Sequence, residues 1–265
     1  MRRILLLLLL LPLFFSCKKE LDFKYHQVES QFVIEGNLSE NGSVVALSYT
    51  VPMNEPFVAE PIDNAEVTLR DLTEEISYDL IPVNGLFKNE IPGIPGHVYE
   101  LEVNHEGKKY TSSCLMRGGV EILKLNFKWI KMPYDHVAVL EIESTVSDVE
   151  GACYWTRLYK NGEPYKWLVS HGSGAVDGKL TQTTFTTREN PDDEEDKDNL
   201  KEGDIISVEV LPVSLEMYDY LVGISSDSNG PAMFSGDFCL GYFLAAGVAE
   251  SSITFLPSSF EKYYQ

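Results

Sequence analysis

What most constrains this chain is its punctuation. Between residues 31 and 115, short β-branched or apolar runs alternate with turn residues. The runs occupy residues 32–36, 44–48, 66–70, 76–81, 86–91, 99–103 and 109–114. Between them stand Glu40-Asn41-Gly42, Asp63-Asn64, Asn84-Gly85, Pro92-Gly93 and Glu106-Gly107. Asn-Gly accepts the positive φ angles of a tight hairpin, and β-branched side chains favour the pleated surface over the helix. About seven short strands at this spacing predict an antiparallel β-sandwich. Residues 66–70 show the expected alternation, with Val67 and Leu69 on one face and Glu66, Thr68 and Arg70 on the other.

Met116-Arg117-Gly118-Gly119 reads as a boundary. Beyond it come further strand-like runs at residues 121–131, 137–142, 154–159, 165–169, 181–187 and 204–213, with two final strands at 241–246 and 252–256. A helix is expected only at residues 214–224, where Ser214 suits the N-cap and Leu215, Tyr218 and Val222 share one face. The predicted fold class is therefore mainly β: two β-sandwich-like domains with one short helix in the second. The expected divisions are a leader (1–16), an anchor and tether (17–30), an N-terminal sandwich (31–117) and a C-terminal β-rich domain (118–265).

Composition narrows the function classes. The 265 residues are 44% hydrophobic and carry a formal charge of -20. That is too much apolar material for a disordered chain, and too much negative charge for a partner of phosphate backbones. A nucleic-acid partner is not expected. The charge is concentrated in residues 189–198, where Asp192, Asp193, Glu194, Glu195 and Asp196 run consecutively. They read as a solvated loop. A calcium site there would need six to eight placed oxygens, and the usual spacing of such a loop is absent.

The amino terminus carries an address. Arg2 and Arg3 precede an apolar run over residues 4–15, too short to cross a bilayer, and the run ends at Ser16-Cys17. A small residue before a cysteine at this point resembles the lipobox of bacterial lipoproteins. That resemblance implies cleavage before Cys17 and acylation of it, with chains such as palmitate holding the domain on a membrane at about 0.8 kcal/mol per buried methylene. Lys18 stands where an Asp would imply inner-membrane retention, so the resemblance implies the outer membrane. Loss of residues 1–16 leaves 19 basic against 41 acidic side chains, a charge of -22. After Cys17 only Cys114, Cys153 and Cys239 remain, enough for at most one internal disulfide and best read as inert buried thiols.

Chemistry-bearing motifs are absent. There is no His-Glu-x-x-His, no Cys-x-x-Cys and no Gly-x-Ser-x-Gly. Gly172-Ser173-Gly174 through Lys179 has the wrong spacing for a phosphate loop. His171 lies near Ser173 in sequence, which is no evidence of contact. No catalytic residue, metal or cofactor is expected. Aromatic side chains are the more telling group. Tyr154, Trp155, Tyr159, Tyr165 and Trp167 fall on two strands joined by Asn161-Gly162. Trp155 and Tyr159 would share one face of that hairpin, opposite Tyr154 and Leu158. Trp155, Tyr159 and Trp167 are thus candidates for a ligand or partner surface, with core packing as the competing reading.

Two resemblances extend the reading. Asn64-Ala65-Glu66-Val67, Gly85-Leu86-Phe87 and Pro95-Gly96-His97-Val98-Tyr99-Glu100-Leu101-Glu102-Val103 resemble the carboxypeptidase-regulatory or pre-albumin-like sandwich. Together with Phe32-Val33-Ile34-Glu35-Gly36-Asn37-Leu38, the 203–221 unit and Gly241-Tyr242-Phe243, they resemble Bacteroidota lipoproteins of the domain-of-unknown-function family four-two-four-nine. That resemblance implies a non-enzymatic accessory or binding lipoprotein of the outer membrane, with a TonB-dependent nutrient transporter as partner. An adhesion module and a hydrolase with an unrecognised site are the alternatives.

Overall fold

The computed structural model describes residues 29–51, 62–147, 151–190, 198–226 and 228–260, and the backbone of 262–263. The leader, Cys17, most of the tether and the five consecutive acids fall outside those residues.

Eight strands form in the first half: β1 (Phe32–Ser39), β2 (Gly42–Tyr49), β3 (Glu66–Asp71), β4 (Ile76–Asp79), β5 (Ile81–Val83), β6 (Leu86–Asn89), β7 (Val98–His105) and β8 (Lys108–Leu115). The second half supplies β9 (Ile122–Lys131), β10 (His136–Thr145), β11 (Cys153–Lys160), β12 (Glu163–His171), β13 (Lys179–Arg188) and β14 (Ile205–Val213). After these come α1 (Leu215–Ser225), β15 (Ser235–Gly236), β16 (Leu240–Ala245), β17 (Ala249–Thr254) and β18 (Lys262–Tyr263). The chain is mainly β, as its punctuation predicts.

Four sheets make two sandwiches. The orders β16-β1-β2-β6-β5 and β15-β8-β7-β3-β4 enclose the first core; β13-β10-β9-β18 and β12-β11-β14-β17 enclose the second. Alternation decides the faces. In β1, Phe32, Ile34 and Leu38 point into the first core, where they meet Leu69, Leu101 and Phe243, while Glu35 is exposed. In β11, Tyr154 and Leu158 enter the second core beside Phe127, Leu140 and Val208.

Two expectations are corrected. The run over 76–81 is not one strand. β4 pairs with β3 and β5 pairs with β6, so the chain changes sheets at Leu80, whose side chain is buried at the corner. Two strands from beyond residue 117 join the first sandwich: β15 pairs with β8, and β16 lies parallel to β1, with Val33 opposite Leu240 and Asn37 opposite Leu244. The reason is burial. β16 is apolar on both faces, so it needs cover on both. Its Phe243 and Ala245 complete the first core. Its Tyr242 and Leu244, with Ala246 just beyond, form a third cluster with Trp155 and Leu211 of the second sandwich and with α1. Gly241 permits this. It sits at φ +106, and a Cβ there would lie 1.9 Å from the Ile34 carbonyl oxygen.

The helix is where the sequence places it, but its buried face is different. Ser214 caps it, its Oγ accepting from the Met217 N–H at 3.1 Å. Met217, Tyr220 and Leu221 are buried against the third cluster, whereas Leu215 and Val222 are exposed. Both stripes fit a helical period, and only the docking surface chooses between them.

Candidate functional site

The predicted aromatic residues lie along the seam where the sandwiches meet. Trp155, Arg157 and Tyr159 project from β11 away from the second core. Trp155 is 9% exposed, and the ring of Tyr242 meets it edge-on, centroids 5.8 Å apart. The Arg157 guanidinium covers the same indole at 5.0 Å and reaches Glu209 Oε2 at 2.7 Å. Tyr159 donates to that carboxylate at 3.1 Å. On the far side, Asn37 Nδ2 donates to the Tyr242 hydroxyl at 3.5 Å. Burial, with the nearby Glu35 charge second, pushes the Tyr220 and Tyr242 hydroxyls up to about 12, so both stay protonated. Trp167, opposite Arg157 across the β11–β12 ladder, is 39% exposed and is the open member of the three.

This seam is closed. Asn37 Oδ1, Trp155 Nε1 and Arg157 Nε are buried and have no hydrogen-bond partner among the described residues. Each such group costs about 1–3 kcal/mol, a cost offset here by the apolar contacts around it. A ligand cannot reach these atoms without parting the sandwiches.

An open site lies on the other side of β16, and the sequence reading missed it. There α1, residues 232–235 and β8 surround a polar cavity of about 480 Å³. Ser112, Ser113 and Cys114 line it from β8, Arg117 from the segment that follows, and Glu216 from the first turn of α1. Arg117 is half-buried; among the described residues its Nε has no hydrogen-bond partner and its guanidinium forms no ion pair. Glu216 is exposed and likewise unpaired among the described residues. Glu100, the third charge on the wall, is held by Arg70 at 3.0 Å. Burial pushes the Cys114 thiol up, and its sulfur accepts from the Ala245 N–H at 3.4 Å, so it serves as an inert wall. The signal available in the sequence was Arg117 itself, an arginine in an otherwise uncharged boundary segment.

Other candidates resolve into structure. His171 turns its Nδ1 toward Cys153 Sγ at 3.3 Å rather than toward Ser173, and its ring packs on Tyr218 at 4.1 Å. Cys153 is 0% exposed and burial raises its thiol, with the Asp219 charge adding to the effect, so the pair lacks an accessible thiolate. Cys114, Cys153 and Cys239 are all free thiols. Asp135, His136 and Glu189 bring one ligand atom each within 4.8 Å of one another. Their contacts are already internal: Asp135 accepts from the His136 and Asn190 backbone, and His136 meets Glu189 at 2.8 Å. They clamp the start of β10 to the end of β13. A second concavity, of about 420 Å³, lies beside the packed rings of Trp129, Phe255 and Phe260.

No family model matches the chain, and no curated protein matches it in sequence. Solved structures align at low similarity. A two-domain fibronectin type-III segment from chicken tenascin covers 86% of this chain and 100% of its own at 12% identity, with a TM-score of 0.24. A cytokine receptor complex covers 84% of this chain and 95% of its own at 9% identity, with a TM-score of 0.27. The β-sandwich class rests on the sheets themselves.

Proposed function

We propose that this protein is a non-enzymatic binding lipoprotein of the outer membrane, held there by lipid on Cys17 and serving a TonB-dependent transporter. The leader and the Ser16-Cys17 junction support the anchor, and the resemblance to family four-two-four-nine supports the partner. The observation that carries the binding role is the cavity beside β8 and α1. It is open, polar and lined by two charges without ion-pair partners among the described residues, and about 480 Å³ is an ordinary size for a small-molecule site. The seam aromatics take a structural part in this reading, joining the sandwiches, while Trp167 remains available to a partner.

The experiment has two arms on the same cells. Cys17→Ser moves the protein from the membrane to the soluble envelope fraction. Crosslinking in intact outer membranes, read by mass spectrometry, joins the wild type to a TonB-dependent transporter. An unchanged membrane fraction for the variant contradicts the anchor. An outer membrane in which no transporter is crosslinked contradicts the accessory role and favours an adhesion module.

A further inference from the structure

We propose that the cavity beside β8 and α1 takes a ligand carrying both a carboxylate and an ammonium group: a free amino acid or a short peptide. This rests on the binding role proposed above and adds the chemistry of what is bound.

The charges on the wall carry the argument. With Glu100 engaged by Arg70, the charges lining the cavity that lack an ion-pair partner among the described residues are one cation, Arg117, and one anion, Glu216. Both border the same cavity, Arg117 from the segment after β8 and Glu216 from the first turn of α1. A guanidinium recognises a carboxylate through paired N–H donors, and a carboxylate recognises an ammonium group equally well.

A phosphate-like dianion would meet Arg117 but be repelled by Glu216. A dication would have the reverse problem. A neutral polyol could hydrogen-bond both groups but would neutralise neither, and so gives up the stronger charge-assisted pairing. A zwitterion satisfies both at once.

The rest of the lining agrees. Thr111, Ser113 and Ser235 have side-chain hydroxyls with no hydrogen-bond partner among the described residues, and they can donate to or accept from a peptide backbone. Ser214 contributes less, because its hydroxyl already caps α1. Met233, Phe234 and Phe243 provide an apolar wall where an uncharged ligand side chain can rest.

The test is calorimetric titration of the full lipidated chain in detergent micelles, with four probes: alanyl-alanine, its N-acetyl form, its C-terminal amide and maltose. Alanyl-alanine is expected to bind. Each blocked form is expected to bind at least about tenfold more weakly, and maltose not at all. Arg117→Gln should abolish the preference for free acid over amide and leave the preference for amine over acetyl. Glu216→Gln should do the converse. Glu216 is exposed on the helix, so that variant keeps the fold and tests the idea alone if Arg117→Gln does not. Equal binding of all three peptide forms, absence of peptide heat, or the absence of the crossed pattern overturns the proposal. Maltose binding that Ser113→Trp blocks would overturn it too, yet leave the binding role intact; loss of the transporter crosslink is the separate failure of that role.

Discussion

The seam and the cavity share β16 and differ in what their polar groups can reach. Along the seam, Asn37, Trp155 and Arg157 hold buried polar atoms without partners, closed under Tyr242 and α1. In the cavity, Arg117 and Glu216 have no ion-pair partner among the described residues, and both line an open space. The first arrangement is stable because apolar contact outweighs three unmade hydrogen bonds. The second leaves its charges on the wall of a cavity open to solvent. Aromatic density thus marks where the two sandwiches are joined, and accessible charge marks the cavity proposed as the ligand site.

Four substitutions sharpen the contrast. Trp155→Ala removes the indole that Tyr242 and Arg157 enclose and leaves a cavity; the expected loss is about 3–5 kcal/mol by chemical denaturation. A loss under about 1 kcal/mol would show that the indole is not a joint between the sandwiches. Gly241→Ala sets a Cβ against the Ile34 carbonyl and forces a side chain into the left-handed region, so β16 must leave β1. A loss of about 3 kcal/mol is expected, and Tyr242 should gain fluorescence quenching by solvent as the seam opens.

Asp71→Asn tests the first sandwich away from both sites. Asp71 is buried and meets His97 at 2.8 Å and the backbone N–H groups of Thr73 and Glu74. Burial pushes its carboxyl up, but these hydrogen bonds outweigh burial and hold it below the usual carboxylate range. The folded-state value is the lower one, so its contribution is full above the ordinary Asp value of about 3.9 and is lost as pH falls through the depressed value. The variant should lose about 1–3 kcal/mol at neutral pH and show a flatter acid limb in a pH series of melts. An unchanged limb would place acid sensitivity elsewhere. Trp167→Ala should be smallest, within about 0.5 kcal/mol, because that indole is open to solvent.

Much of the fold was legible in the sequence because strands are local: the β3 alternation, the Asn84-Gly85 and Asn161-Gly162 hairpins and the Ser214 cap depend on neighbours a few residues away. What escaped reading was long-range. Nothing near Leu240 says that its partner is Val33, some two hundred positions earlier, although an apolar run on both faces of β16 hinted that both would be covered. The turn of the chain at Leu80 was hidden because the residues on either side are strand-like in both sheets. The docked face of α1 was misread because two stripes were available. The cavity was invisible because it is built by β8, α1 and residues 232–235, which meet only after β16 returns to the first sandwich.

The account stands on ligand entering the cavity and not the seam, and the chain has three tryptophans whose indole N–H signals report on this directly. The measurement is a heteronuclear NMR titration of the labelled chain with alanyl-alanine. The expected result is movement of the Arg117, Ser113 and Glu216 signals, with the Trp155 and Trp167 indoles still. Movement of those two indoles with Arg117 and Glu216 unmoved would contradict it.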